Sequence, residues 1–511
     1  MTDPEPKRHK CQSNPLAAAG AQASLQTGLN AGDVSRVLTA CRVKDLLPDA
    51  RGTDLRQQIK RRSREARSCW LQEAGRLVLL PLVDGGTFQW RVADPAALLS
   101  FLSQAESVSC LLSSLPEGHP LTLQLYADEL TPGSILQPDV RRKCVVFNFS
   151  FSEFPYGVSK HTWFTYAVLR TSVCKRVVGG LSKCMAAMME LFLPFFSAGA
   201  LIHIRFSGRN RLLCCRRVTF IMDEAAFQAA FAFKGAAGRR PCPLCRNCVS
   251  KGCAATLGAG TAFLDIAHDD IADFQPVRRE EVFHAWDFLA EQKGSVTETA
   301  LQELQRNIGW TYHEHALLSH EGLRSILDPT NINFDLLHTF LNNGIVSVEV
   351  GLYLAAFQAA GGRREELLQQ MQASLELQQG PNVAARVSML TAANFSEGHV
   401  WRRRGSEQHC VLPLLLLWTV LDCDLADPIG MADKTASLRK LMERVFCLDM
   451  LRVTRDGAWV PCLESLQLEH YRAFLSCYSA DCARPKHHYG LHIPGASCFR
   501  VSEKVFKGFR V

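Results

Sequence analysis

Charge of one sign is scarce in this sequence: 57 Lys and Arg against 50 Asp and Glu leave +7 over 511 residues. That balance permits a nucleic-acid partner without demanding one. A clean apolar run of membrane-spanning length is missing. Met185–Ile202 is long enough but is interrupted by Glu190 and Pro194. Val411–Leu421 is shorter than the ~20 residues a spanning helix needs. Both read as core segments of a soluble protein, with no membrane partner expected. Internal repeats and sustained heptads are absent, which excludes solenoids and coiled coils. The start, Met1–Lys10, is charged and carries no apolar leader, so a reducing compartment is expected. There the 20 Cys read as free thiols and metal ligands rather than a disulfide lattice.

What is present is ordinary globular material. A hydrophobic share of 47% and a charged share of 21% exclude a disordered or fibrous chain. The length suggests about three units. Residues 1–69 read as a basic tail, with six basic residues and one acid between Arg56 and Arg67, suited to nuclear import or to phosphate contact. Residues 70–118 read as a small α+β unit: strands over Arg76–Val83 and Thr87–Val92, then a helix started by Asp94 and Pro95 as N-cap and N1.

From Leu121 the pattern turns strand-rich. Strands are expected at Leu121–Tyr126, Cys144–Phe151, Leu201–Phe206 and Leu212–Asp223, with a helix over Glu224–Lys234. The core, 119–256, ends in a cysteine-rich loop. Residues 257–480 read as almost entirely helical, including one helix over Asp335–Ala360, and 481–511 form a basic, histidine-rich return segment. The fold class is α+β.

Two acids end strands in this reading, Asp128 and Asp223. Each alone reads equally as a turn acid or a helix N-cap. Side by side they would repel, and a divalent cation is the natural means of keeping both ionised. Cys242-Pro-Leu-Cys245 is half of a tetrahedral zinc site. Its partners are either Cys248 and Cys253, or the i, i+4 pair His488 and His492 with His487 beside it. Asp335 and His338, three apart, can share a hydrogen bond on one helix face. Trp401–Arg404 with Arg386 is a basic patch.

In order, these pieces resemble transposases with an RNase H-like core of the acidic-triad kind: the CACTA, KDZ and Transib elements, and most narrowly transposon-derived proteins of dinoflagellates. The matching text is Tyr126-Ala-Asp-Glu-Leu-Thr-Pro-Gly133, Phe147-Asn-Phe-Ser-Phe-Ser-Glu-Phe154, Lys234-Gly-Ala-Ala-Gly238 leading to Cys242-Pro-Leu-Cys245, Asn333-Phe-Asp-Leu-Leu-His338, and Pro485–Pro494. The resemblance implies an RNase H-like mixed sheet with a zinc-binding loop and a large all-helical insertion. It implies a first aspartate ending the first core strand, Asp128, and a second ending the fourth, Asp223. It implies two Mg²⁺ ions held with a third acid, structural Zn²⁺ held by Cys242, Cys245, His488 and His492, a DNA partner, a nuclear location, and an assembly that admits a homodimer. The third acid maps to Glu503, one position out of register with the family's glutamate. A one-residue slip turns a helix side chain by ~100°. Glu407 is the other candidate.

Overall fold

The computed structural model describes residues 72–130, 142–154, 162–253, 263–341, 343–363, 366, 369, 430–454 and 458–494. The basic tail, Trp401–Arg404, Glu407 and Glu503 lie outside the described residues. The chain divides into two compact units. The described part of the first is 72–77, Arg91–Ser109 and Ile202–Arg209. Its helix α1, Pro95–Leu102, starts as expected: Asp94 Oδ1 accepts from the backbone N of Ala96 and Ala97 at 3.0 and 3.1 Å. Ser103 Oγ donates to the His203 carbonyl at 3.1 Å and accepts from Arg205 N at 2.9 Å.

The second unit holds a five-stranded mixed sheet. The chain forms β1 (Gly75–Pro81), β2 (Thr87–Ala93), β3 (Leu121–Leu130), β4 (Cys144–Phe151), β5 (Phe164–Arg170), β6 (Ala200–Ile204), β7 (Arg209–Leu213), β8 (Cys215–Met222), β9 (Cys248–Val249), β10 (Leu264–Asp265) and β11 (Ile332–Phe334). The order across the large sheet is β11-β8-β3-β4-β5. Strands β3, β4 and β5 run as an antiparallel meander, while β8 lies parallel to β3 and β11 parallel to β8. The strand expected over Leu212–Asp223 is thus two: β7 pairs with β6 in a separate ribbon, and only β8 joins the large sheet. Leu121–Tyr126 alternates apolar and polar residues, the pattern of a half-exposed strand, and in β3 that pattern misleads. As the central strand it is covered on both faces, and Thr122 and Gln124 are as buried as Leu123 and Leu125.

Aromatic rings fill the space over the sheet. Phe149 meets Phe192 at 5.2 Å, and Phe220 meets Phe231 at 4.8 Å. Each such ring, taken from water, contributes roughly 2–3 kcal/mol. Helix α2 (Glu106–Ser113) precedes β3, and helices α3 (Gly180–Glu190) and α4 (Leu193–Ser197) fall between β5 and β6. Ser182 Oγ of α3 donates to the Ala230 carbonyl of α5 (Glu224–Phe231) at 2.5 Å, joining the helices.

The remainder is mostly helical: α6 (Arg279–Gln292), α7 (Glu298–Ile308), α8 (Ile345–Ala359), α9 (Ala432–Thr454), α10 (Trp459–Tyr478) and α11 (Pro485–His492). Besides the short strand β10, which pairs with β9, two features depart from an all-helical insertion. First, β11 sits within it and aligns Ile332, Asn333 and Phe334 with Phe220, Ile221 and Met222 of β8. Second, the single helix expected over Asp335–Ala360 is a π-helical turn, Leu337–Leu341, then α8. The chain breaks between them where Asn343 is left-handed, φ 52°, and Gly344 lies against the backbone of Thr339 and Phe340 with no room for a Cβ. The stretch His338–Ala359 has the length and composition to cross a membrane, and 71% of its apolar window is buried inside the structure.

A fully buried polar network ties α8, α9 and α10 together. Glu349 accepts from Ser437 Oγ at 2.7 Å and meets His470 Nε2 at 2.6 Å. Arg444 donates to Gln467 Oε1 at 3.1 Å and to the Gly490 carbonyl of α11 at 2.9 Å, with its guanidinium 4.5 Å from the centre of the Phe340 ring. Burial pulls Arg444 down to about 9.

Candidate metal centres

Three parallel strands deliver their C-terminal ends to one rim of the sheet. Asp128 stands near the end of β3, opposite Val146. Asp223 follows β8 directly and caps α5, its Oδ1 accepting from Ala226 N at 2.6 Å. Asp335 follows β11, its N donating to the Met222 carbonyl at 3.0 Å. The π-helical turn then swings His338 back over Asp335, whose Oδ2 lies 2.9 Å from His338 Nδ1. His338 Nε2 thereby faces Asp223 Oδ2 at 4.0 Å. One ligand atom each from Asp128, Asp223 and His338 lies within 4.8 Å of the others.

The electrostatics follow from half-burial and crowding. Burial raises the Asp128 carboxyl, against the Tyr126 hydroxyl, which donates to its Oδ2 at 2.9 Å, and Glu129 N, which donates to Oδ1 at 2.7 Å. Tyr126 is pushed far up by its own burial and by Asp335 and Asp128. The hydrogen bond to Asp335, helped by the charges of Asp223 and Asp128, raises His338 despite burial. Cation–oxygen distances of ~2.0–2.6 Å place opposed ligands ~4–5 Å apart, so the 4.8 Å spread fits one divalent ion. The set is two oxygens and one imidazole nitrogen. That differs from the all-oxygen set expected of Mg²⁺, since imidazole suits Zn²⁺ and Fe²⁺ better, while Mg²⁺ and Mn²⁺ favour oxygen.

The second centre is a Cys₂His₂ clasp. His488 and His492, one turn apart on α11, bring their Nε2 atoms within 3.2 Å. Cys242 Sγ lies 3.4 Å from His492 Nε2, and Cys245 Sγ lies 3.4 and 3.3 Å from His488 and His492 Nε2. A tetrahedron with Zn–S ~2.3 Å and Zn–N ~2.05 Å has S···N edges of ~3.6 Å and N···N edges of ~3.3 Å. The four atoms are therefore already spaced for zinc. Burial raises the Cys242 thiol, but the hydrogen bond with Cys245 and the charges of His492 and His488 outweigh it and hold it well below the usual thiol range.

Of the two partner sets open from the sequence, the structure brings the histidines to Cys242 and Cys245. Cys248 pairs in β9 with β10, and neither it nor Cys253 belongs to the group. His487 points away: its Nδ1 accepts from Arg484 N at 3.1 Å, its ring stacks on Phe474 at 4.4 Å, and burial drives it down to about 3. The two centres share a support. Tyr489 of α11 stacks on Phe334 of β11 at 4.4 Å and 9°, and its hydroxyl donates to the Pro241 carbonyl at 2.6 Å. Lys486 of the same helix is lowered by burial, opposed by Glu224, Asp223 and Asp335.

His338 is the member of this group that spacing alone did not assign to the acids. The Asp335/His338 spacing was the available signal, but nothing local places a π-helical turn after a three-residue strand. No protein-family model matches the chain, and no curated protein matches it either.

Proposed function

We propose that this chain is a transposase-like DNA-binding protein of the RNase H-like kind, with a metal-dependent strand-cleavage centre at Asp128, Asp223 and His338. The observation that carries the reading is the meeting of Asp128 and Asp223 at one rim. They come from the first and fourth strands, in chain order, of the five-stranded sheet, where an RNase H-like core keeps its first two acids. The Cys₂His₂ clasp, in the chain order that the family resemblance implies, is a second support.

A bound divalent cation would supply Lewis-acid stabilisation of the charge that builds on a phosphodiester under attack. The protein's own groups do the positioning. Tyr126 and Glu129 N fix the two oxygens of Asp128, and Ala226 N fixes Asp223. Asp335 holds His338 Nδ1 and leaves Nε2 toward the centre. A neutral Nε2 there would be free to ligate the cation. Cys242, Cys245, His488 and His492 would fill all four positions of a zinc ion held there, the mark of a structural site. A nuclear location, a DNA partner and a homodimer belong to the same proposal.

A second reading is a catalytically silent, zinc-stabilised DNA-binding protein or scaffold. The mixed donor set favours it: among the described residues the third member of the group is an imidazole, not a carboxylate. Nicking of supercoiled DNA with Mg²⁺ or Mn²⁺ separates the two. The active reading expects wild-type nicking and a loss of at least about 100-fold in Asp223→Ala. Equal activity of both proteins, or none in either beside salt-sensitive DNA binding, selects the silent one.

A further inference from the structure

A cavity of about 340 Å³ lies against the C-x-x-C loop, with Cys242 and Cys245 in its lining, at the small end of ligand-binding pockets. It opens beyond the C-terminus of α5, whereas Asp223 caps the N-terminus of the same helix. Eight helical residues separate the two by ~12 Å. Aromatic rings make its wall: Phe233, Trp310 and Phe263, the first two in edge contact at 5.0 Å.

The polar lining is already committed, with one exception. Arg246 donates to Gln275 Oε1 at 2.6 Å and to Glu281 Oε1 at 3.3 Å. Asn247 is satisfied at both ends, donating to the Asp273 carbonyl at 3.0 Å and accepting from Gln275 N at 2.7 Å. Glu281 also accepts from Arg278 N at 2.8 Å. Arg240 lies with its guanidinium 5.8 Å from the centre of the Phe263 ring and forms no ion pair with a carboxylate among the described residues. A half-buried cation beside one aromatic ring and near two more has no hydrogen-bonded anion among the described residues; the one charge that acts on it is Glu281, which Arg246 already holds.

We propose that this cavity binds one nucleotide unit, its base against the Phe233, Trp310 and Phe263 rings and its phosphate on Arg240. Base stacking on aromatic side chains tolerates any base, and a guanidinium offers phosphate two parallel donors. The same chemistry belongs to a free mononucleotide and to an unpaired nucleotide in a DNA strand. The strand is the source we favour, because α5 links the cavity to the acid rim. That choice rests on the DNA-binding reading above; the cavity's preference for a nucleotide does not.

The test is anisotropy of a fluorescein-labelled single-stranded dodecamer, without added divalent cation, competed by unlabelled dAMP. Wild type is compared with Arg240→Gln and Phe263→Leu, and unchanged zinc content checks that each variant folds. The expected result is wild-type binding that dAMP competes and that weakens about 10-fold or more in each variant. If dAMP binds by equilibrium dialysis and the variants lose it while the dodecamer does not bind, the cavity stands with a free nucleotide as its ligand and the DNA reading fails. If the dodecamer binds all three proteins alike, the cavity assignment falls and the DNA reading stands. Binding of neither ligand overturns both.

Discussion

Breaking the Cys₂His₂ clasp, proposed to hold zinc, is the perturbation with the largest expected effect on the fold. The clasp joins Cys245 to His488 across 243 residues. Treated as a cross-link closing a loop of that length, it lowers the entropy of the unfolded chain by an amount worth about 5 kcal/mol at 25 °C. His492→Ala is the cleanest way to break it, because His492 is the one member of the group that is not fully buried. We expect zinc content to fall from about one per chain toward zero. We expect the thermal midpoint to drop on the order of 5–10 °C, matching the drop that a chelator causes in wild type. His487→Ala is the control: it loses stacking on Phe474 and stability, but keeps its zinc. Metal analysis with scanning calorimetry reads both quantities. Retention of a full zinc complement by His492→Ala, or a wild-type midpoint indifferent to chelator, would refute the clasp.

The remaining predictions concern the acid rim and the buried network. His338 and Asp128 are both raised. His338 therefore contributes stability in full below its ordinary ~6.5 and loses that contribution as pH rises through its raised folded value. Since a ligating imidazole must be neutral, Mn²⁺ affinity at the rim should climb across the same window, and a flat calorimetric profile between pH 6 and 8.5 would count against His338 as a ligand. Glu349→Ala leaves His470 and Ser437 buried without their acceptor and should cost about 3–5 kcal/mol in urea unfolding; a change below 1 kcal/mol would contradict the network. Gly344→Ala drives a Cβ into the backbone of Thr339 and Phe340. It should cost about 1–3 kcal/mol and weaken Mn²⁺ binding by displacing the turn that carries His338, whereas a loss of stability with unchanged affinity would separate the turn from the site.

How much of this was legible depended on whether the signal was local. Asp94 with Pro95, and Asp223 before an alanine-rich helix, announce caps through chemistry within three residues, and both are caps. The C-x-x-C and the i, i+4 histidines each declare half a tetrahedron, although which halves belong together is a tertiary fact. The strand β11 was hidden because three residues are too few to show a period of two, and its pairing partner lies more than a hundred residues earlier. The burial of Thr122 and Gln124 was hidden because alternation reports a half-exposed strand, and β3 is central. His338 followed from neither: it reaches the acids only because β11 adds to the sheet and a π-helical turn follows.

The long span of the clasp also orders events on the ribosome. Cys242 and Cys245 emerge 243 residues ahead of His488 when counted from Cys245. At roughly 5–20 residues per second that is a wait of about 12–50 s. During that interval the nascent thiols have no imidazole partners, and β8 lacks its outer neighbour for part of it. The newborn chain must be held from oxidation and from stray strand pairing until α11 arrives.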